Sequence, residues 1–335
     1  MGRSSPEGNP PSITPEKGEL APKSQFVEML EARCISANSY VWFGLDTDYE
    51  KVPEIVKKRL SSPGFSPLGS LITRALSSFN IENIEATHDL VGAYKINPAP
   101  YWVFGSDGFD ALEATTRYIK KNHPDIPLIL DIKDDTPNSA EYYARMAFDR
   151  LNADAVTVNP YMGKDAATPF LKRADKGVFI LVKTSNPGAD EFQNLPIPVA
   201  VFPKEMRDFF VSQNFVERSS FGEIVRLDEV VGYNAARLWN ENGNVGVVVG
   251  ATYPRELADV REIIGDLPIL IPGVGDQEGD LENSVKAGRD TRGQGFLAGS
   301  SRSFIYASDK IDFAQAARRE VEKLRDEINQ YRNAA

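Results

Sequence analysis

Short apolar runs rich in Val, Ile and Leu recur along the chain, separated by longer stretches of mixed polarity. They fall at 41–46, 90–97, 127–133, 155–160, 178–185, 245–251, 267–275 and 295–302. Runs of this length, bounded by Pro, Gly, Asn or Asp, read as buried strands rather than helices. Helix-like spacing of apolar residues fills the gaps at 70–82, 108–121, 139–151, 165–174, 227–240, 256–265 and 281–288, and an amphipathic helix at 311–333 ends the chain. Strand and helix in alternation imply parallel βαβ units. Eight near-continuous apolar strands, each followed by helix, predict a (β/α)8 TIM barrel, an α/β fold, as one domain over residues 25–335. An open doubly wound sheet is the alternative; it would carry a Gly-rich fingerprint after the first strand, and Phe43-Gly44-Leu45-Asp46-Thr47-Asp48 is not one. Residues 1–24, rich in Pro, Gly, Ser and charge, read as a disordered tail. Two longer spacers stand out, a Pro/Gly/Ser loop at 61–69 and an excursion at 186–203 after the fifth strand.

The strand endings carry the candidate chemistry. The third run, Pro127-Leu128-Ile129-Leu130-Asp131-Ile132-Lys133, delivers a carboxylate and an ammonium, and strand alternation would point both the same way. Lys95 ends the second run with Asn97 two residues on, on the same expected face. Charges at the mouth of a buried strand are expensive to desolvate unless they pair or act. Asp46, Asn159, Thr184, Ser185, Thr252, Gln277 and the Ser300-Ser301-Arg302 triplet extend the pattern to the other endings. One polar ending is an ordinary rim charge; a ring of them at the C-terminal face of a barrel reads as a site. Lys95, Asp131 and Lys133 can form an alternating cluster that keeps both lysines protonated, suited to general-acid work and to stabilising a developing carbanion. Gly299-Ser300-Ser301-Arg302-Ser303 closes the eighth run, where many barrels hold a phosphate, and its serines and Arg fork suit that dianion.

Composition narrows the partners. The 335 residues, 41% hydrophobic, suffice for one large barrel core. With 38 Lys and Arg against 48 Asp and Glu the net charge is −10, which argues against nucleic acid or an anionic membrane but leaves room for a small anionic ligand. One cysteine, Cys34, excludes an intramolecular disulfide and fits a reducing, cytoplasmic compartment. His88 and His123 are the only histidines, too little for a His-based metal site or a Ser-His triad. There is no apolar run of about 18 residues and no signal-peptide core.

The motifs Phe43-Gly44-Leu45-Asp46, Ala93-Tyr94-Lys95-Ile96-Asn97, Asp131-Ile132-Lys133, Thr157-Val158-Asn159-Pro160, Lys183-Thr184-Ser185-Asn186-Pro187-Gly188, Pro272-Gly273-Val274-Gly275-Asp276-Gln277 and Ser300-Ser301-Arg302 together resemble the orotidine 5′-phosphate decarboxylase family, in its longer bacterial subgroup, over about residues 25–310. The resemblance implies decarboxylation of orotidine 5′-monophosphate to uridine 5′-monophosphate in pyrimidine biosynthesis, with no cofactor and no metal. It implies a homodimer with shared active sites. Lys133 would protonate C6, Asp131 would face the substrate carboxylate, and Lys95 and Asp46 would serve the ribose. Ser185 would read the pyrimidine edge, with Gln277 and Arg302 on the phosphate; Asn97 and Ser303 stand in the same motifs. The family pattern Asp-x-Lys-x-x-Asp is altered after Lys133. Deleting one residue aligns Asp135 with the second Asp and brings Asn138, Ser139 and Ala140 into register; Asp135 and Ser139 would then reach the partner's site. Asp134 adds a carboxylate, Pro137 replaces a glycine, and Ile96, Pro100 and Ser303 also depart from the pattern. Two readings follow: a decarboxylase with a remodelled loop, or a paralogue that binds a pyrimidine nucleoside 5′-monophosphate with altered or no decarboxylation.

Overall fold

A computed structural model describes residues 21–61, 69–133, 136–220, 222–274 and 280–334. Its centre is a closed barrel of eight parallel strands: β1 (Val41–Gly44), β2 (Ala93–Ile96), β3 (Leu128–Leu130), β4 (Ala155–Val158), β5 (Gly177–Lys183), β6 (Val245–Val249), β7 (Ile269–Pro272) and β8 (Phe296–Ser300). Each pairs with its neighbours in sequence, and β8 closes on β1 through Val41↔Ala298 and Phe43↔Ser300. All eight expected runs are strands, each shorter than its apolar run. Asp131 and Lys133 after β3, and Ser301 and Arg302 after β8, are trimmed from the C-terminal ends and leave the ladder to line the C-terminal mouth.

The helices that cover the barrel follow the predicted spacing, among them Leu71–Thr87, Gly105–Asn122, Pro254–Ile264 and Phe313–Asn333. Helix Gln25–Ser36 lacks a predicted counterpart. It covers the N-terminal ends of the strands: Phe26 meets Phe179 edge-on at 6.0 Å, and a Cβ at Gly177 would lie 2.2 Å from the Phe26 ring. Ser24 is buried, caps this helix through the Val27 N–H, and donates its own N–H to Gly243 O at 3.1 Å. Of the expected tail, residues 1–20 lie outside the described residues, as do 62–68 of the first spacer.

The second spacer supplies one strand of an element that the sequence pattern does not anticipate. Pro196–Pro198, Glu217–Ser219 and Gly222–Arg226 form a separate antiparallel sheet with Gly222–Arg226 in the middle. Prolines argue against a strand because they cannot donate to a ladder, but this strand lies at an edge, where that loss is tolerated. Arg226 anchors the sheet to the barrel helices, with Nε 3.0 Å from Asp228, and Nη2 3.0 Å from Asp259 and 3.1 Å from Glu229.

Three carboxylates on one guanidinium leave excess negative charge in a buried place. Burial pushes the Glu229 carboxyl up to about 7, outweighing the hydrogen bond from the Arg226 N–H and the Arg226 charge. A carboxyl that holds its proton more tightly when folded loses stability as pH rises from the ordinary 4.5 to about 7, and the loss is complete above that. Glu229→Gln keeps an acceptor for the Arg226 N–H and removes the charge. It is expected to exceed wild type in stability at pH 8 by about 1–3 kcal/mol and to match it at pH 4. Urea midpoints at the two pH values check this; a variant no more stable at pH 8 would contradict it.

Candidate active site

The C-terminal mouth of the barrel opens into a cavity of about 840 Å³. That volume lies in the range of small-molecule sites, roughly 300–1,000 Å³. Its charged wall is built from three consecutive strands. Lys95, in β2, is 4% exposed; its Nζ donates to Asp131 Oδ2 at 2.7 Å and lies 3.8 Å from Asp46 Oδ2. The Trp42 ring is 4.9 Å from the same ammonium. Asp131 Oδ1 takes the Lys133 ammonium at 2.5 Å and the Thr157 hydroxyl at 2.7 Å. A line of carboxylate, ammonium, carboxylate, ammonium therefore runs Asp46–Lys95–Asp131–Lys133.

Each charge sets the next. Burial opposes the Lys95 ammonium, but Asp131 and then Asp46 outweigh it and raise its pKa above the ordinary lysine value. Burial likewise opposes the Asp131 carboxylate, and Lys95 and Lys133 hold it well below the usual carboxylate range. Asp131 is thus ionised at neutral pH, and both lysines have an anionic partner.

Lys133 reaches this position by a route different from strand alternation. β3 ends at Leu130, and Lys133 has φ of +55°, in the left-handed region that side chains with a Cβ avoid. That conformation costs roughly 1–2 kcal/mol. It turns the ammonium back onto Asp131 while the Lys133 N–H bonds Thr157 O at 3.2 Å. The side chain stays 44% exposed, on the open side of the cavity. Backbone strain is thus stored at the exposed end of the charged line.

Asp46 is held on both oxygens, by the Asn97 N–H at 2.8 Å and by Ser301 Oγ at 2.6 Å. Gly44 makes the second contact possible, since a Cβ there would fall 1.9 Å from Ser301 Oγ. Tyr306 closes the same corner: its hydroxyl accepts the Asp48 N–H at 2.7 Å and donates to Asp46 O at 3.3 Å. Arg302 opens the short helix Arg302–Ile305 and lines the cavity, with Ser300 and Ser301 beside it. Ser185 lines the wall beyond the end of β5.

Other expected site residues are placed differently. Asn97 does not line the cavity with Lys95: its side-chain oxygen turns to its own loop and accepts the Ala99 N–H at 3.0 Å, while its backbone N–H serves Asp46. Asn159 likewise turns to its own loop, accepting the Tyr161 N–H at 3.1 Å. Ser303, one residue into the helix, and Thr252 are not on the cavity wall. Ser139 is also off this wall and bonds Thr136 at 2.5 Å. Asp134, Asp135 and Gln277 lie outside the described residues. Thr157, Trp42 and Tyr306 were missed. A threonine or a tryptophan inside a strand, and a tyrosine just after a short helix, read as β-formers and core, and no local signal separates them from packing residues.

Among the described residues there is no cluster of His, Cys, Asp and Glu suited to a metal, and no helix is long and apolar enough to cross a membrane. Cys34 is buried and burial pushes its thiol up to about 12, which leaves it a packing residue.

A parallel barrel whose C-terminal mouth arrays alternating charges around a cavity of this size is a (β/α)8 enzyme. The model of the orotidine 5′-phosphate decarboxylase / HUMPS family matches residues 79–204. The orotidine 5′-phosphate decarboxylase of Ralstonia pickettii is 42% identical over 310 residues, covering 92% of this chain and 100% of that protein. That of Cellvibrio japonicus is 39% identical, covering 91% and 98%. The structure of Leishmania donovani OMP decarboxylase superposes with a TM-score of 0.69 at 33% identity, over 92% of this chain and 99% of that one. Leishmania donovani UMP synthase gives 0.71 at 33% identity; this chain spans 57% of its length. The chain belongs to the orotidine 5′-phosphate decarboxylase family.

Proposed function

We propose that this chain is a carboxy-lyase that converts orotidine 5′-monophosphate to uridine 5′-monophosphate, in pyrimidine biosynthesis, with no cofactor or metal. The observation that carries the reading is the Lys95–Asp131–Lys133 line facing the cavity. In this reading the substrate carboxylate lies against Asp131, where like charges repel in the bound state and separate as carbon dioxide leaves. The C6–carboxylate bond breaks and its electron pair stays on C6. The Lys133 ammonium, 2.5 Å from Asp131, stabilises that charge and transfers a proton to C6. Water returns a proton to Lys133.

Asp46 and Lys95 would bind the ribose, Ser185 the pyrimidine edge, and Arg302 with Gln277 the phosphate. Phosphate binding remote from C6 contributes energy realised in the transition state. Asp135 and Ser139 would serve the site of a second copy, which is consistent with Ser139 lying off its own cavity wall. A homodimer is supported by exposed apolar residues in the segments that follow β3, β4 and β5: Tyr142, Tyr161 and Phe192 are 69%, 77% and 55% exposed. Apolar exposure of this kind marks interaction surfaces. A cytoplasmic location fits the single cysteine. No observation on the described residues favours a paralogue with altered chemistry.

Ultraviolet absorbance of orotidine 5′-monophosphate tests the reading. Wild type is expected to turn it over at on the order of 1–100 s⁻¹. Tight binding of uridine 5′-monophosphate with no turnover would overturn the decarboxylase reading.

A further inference from the structure

Ser185 stands on the cavity wall, but β5 ends at Lys183, so the barrel ladder alone does not fix it. The residues that do come from the turn at 187–195 in front of the small antiparallel sheet. Gln193 meets Thr184 twice. Its Oε1 accepts the Thr184 N–H at 2.9 Å, and its Nε2 donates to Thr184 Oγ1 at 2.9 Å. Only one orientation of the amide satisfies both contacts. The Thr184 hydroxyl then donates to Asn186 Oδ1 at 2.7 Å. The chain of bonds from Gln193 through Thr184 to Asn186 thus brackets Ser185 on both sides.

The bracket is itself held. The Gln193 N–H donates to Ala189 O at 2.9 Å, and its carbonyl accepts the Asp228 N–H at 3.0 Å. Asp228 sits in the Arg226 cluster that anchors the small sheet. Beneath, the fully buried Lys183 ammonium donates to Asp190 and Asn194 of the same turn, each at 2.7 Å, and lies 4.4 Å from the Tyr253 ring centroid. Behind Ser185 is Gly250, where a Cβ would fall 2.7 Å from the Ser185 Cβ. The serine has a stop behind it and a two-point clamp beside it.

We propose that Gln193 is a positioning residue that sets the Thr184–Asn186 segment and thereby the selectivity of the site for its nucleobase. This rests on the reading that the base lies against Ser185. Gln193 itself is off the cavity wall and acts through Thr184. The cause is geometric: a hydrogen bond weakens steeply as its donor and acceptor move out of line, so a Ser185 free to shift binds the base edge less well while the ribose and phosphate contacts stay as they were.

The test compares uridine 5′-monophosphate with ribose 5-phosphate, which keeps sugar and phosphate but has no base. Gln193→Leu removes both contacts at similar volume. It is expected to weaken uridine 5′-monophosphate about tenfold, to raise KM for orotidine 5′-monophosphate by a similar factor, and to leave ribose 5-phosphate unchanged. Gln193→Glu, which retains the acceptor for the Thr184 N–H, restores most of the loss. Thr184→Val, which removes only the hydroxyl half, gives a smaller loss of the same pattern and keeps the test valid if Gln193→Leu fails to fold. Equal weakening of both ligands, or none, overturns the positioning role. Wild type that binds ribose 5-phosphate no worse than uridine 5′-monophosphate overturns the base-site reading, and this inference with it.

Discussion

Lys133→Ala is expected to lower kcat for orotidine 5′-monophosphate by about 10⁴-fold or more, because it removes the proposed proton donor together with the charge proposed to face C6. Stability is expected to move little. The side chain is 44% exposed, and Asp131 keeps Lys95 at 2.7 Å and the Thr157 hydroxyl at 2.7 Å. Alanine has the same difficulty with a φ of +55° as lysine, so the loop has no new reason to rearrange. Affinity for uridine 5′-monophosphate should persist, since the product has no carboxylate at C6. Loss confined to kcat identifies an interaction made in the transition state. A variant that retains turnover within tenfold of wild type would exclude Lys133 as the donor.

Lys95→Ala should differ in kind. It empties a site that is 4% exposed and leaves Asp131 and Asp46 without the ammonium between them. Breaking a buried pair this way costs about 3–5 kcal/mol, because the remaining charge stays desolvated. The pH window follows from the two shifts. Lys95 has a raised pKa, so its contribution is complete below the ordinary 10.5 and is lost as pH climbs through the folded value. Asp131 has a depressed pKa, so its contribution is complete above the ordinary 3.8 and is lost as pH falls through the folded value. The gap between wild type and variant is therefore widest between these limits and narrows outside them. Denaturation midpoints across pH measure it. A gap that is absent at pH 7 would mean that the pair is solvated and the cluster weak.

The two lysines look alike in sequence, each at or near the end of an apolar run. Their contrast comes from where the strands stop. Lys95 is still inside β2, paired with Ile129 of β3 and Gly44 of β1, and is buried by that pairing. Lys133 is three residues past β3, and a left-handed turn exposes it to the cavity. In the proposed reaction one is a fixed electrostatic support and the other a reachable donor, a division that follows from the end of β3 at Leu130 and the left-handed turn at Lys133.

The sequence by itself determined the barrel, its eight strands and the identity of most charges at its mouth. Apolar runs and helical periodicity are local signals, and eight of them in alternation admit few closed arrangements. The endings Asp46, Lys95, Asp131, Lys133, Ser185 and Arg302 were legible for the same reason, since polar residues that terminate buried strands of a barrel must gather at one face. Only the tertiary structure decided which of them touch. That Asn97 turns away to its own loop, that Thr157 completes the shell of Asp131, and that Gln193 clamps Thr184 from the turn before the small sheet all depend on hydrogen bonds whose partners the local pattern does not choose. Neither periodicity nor composition carries that information, because the free energies that choose between such bonds exist only once the strands are in register.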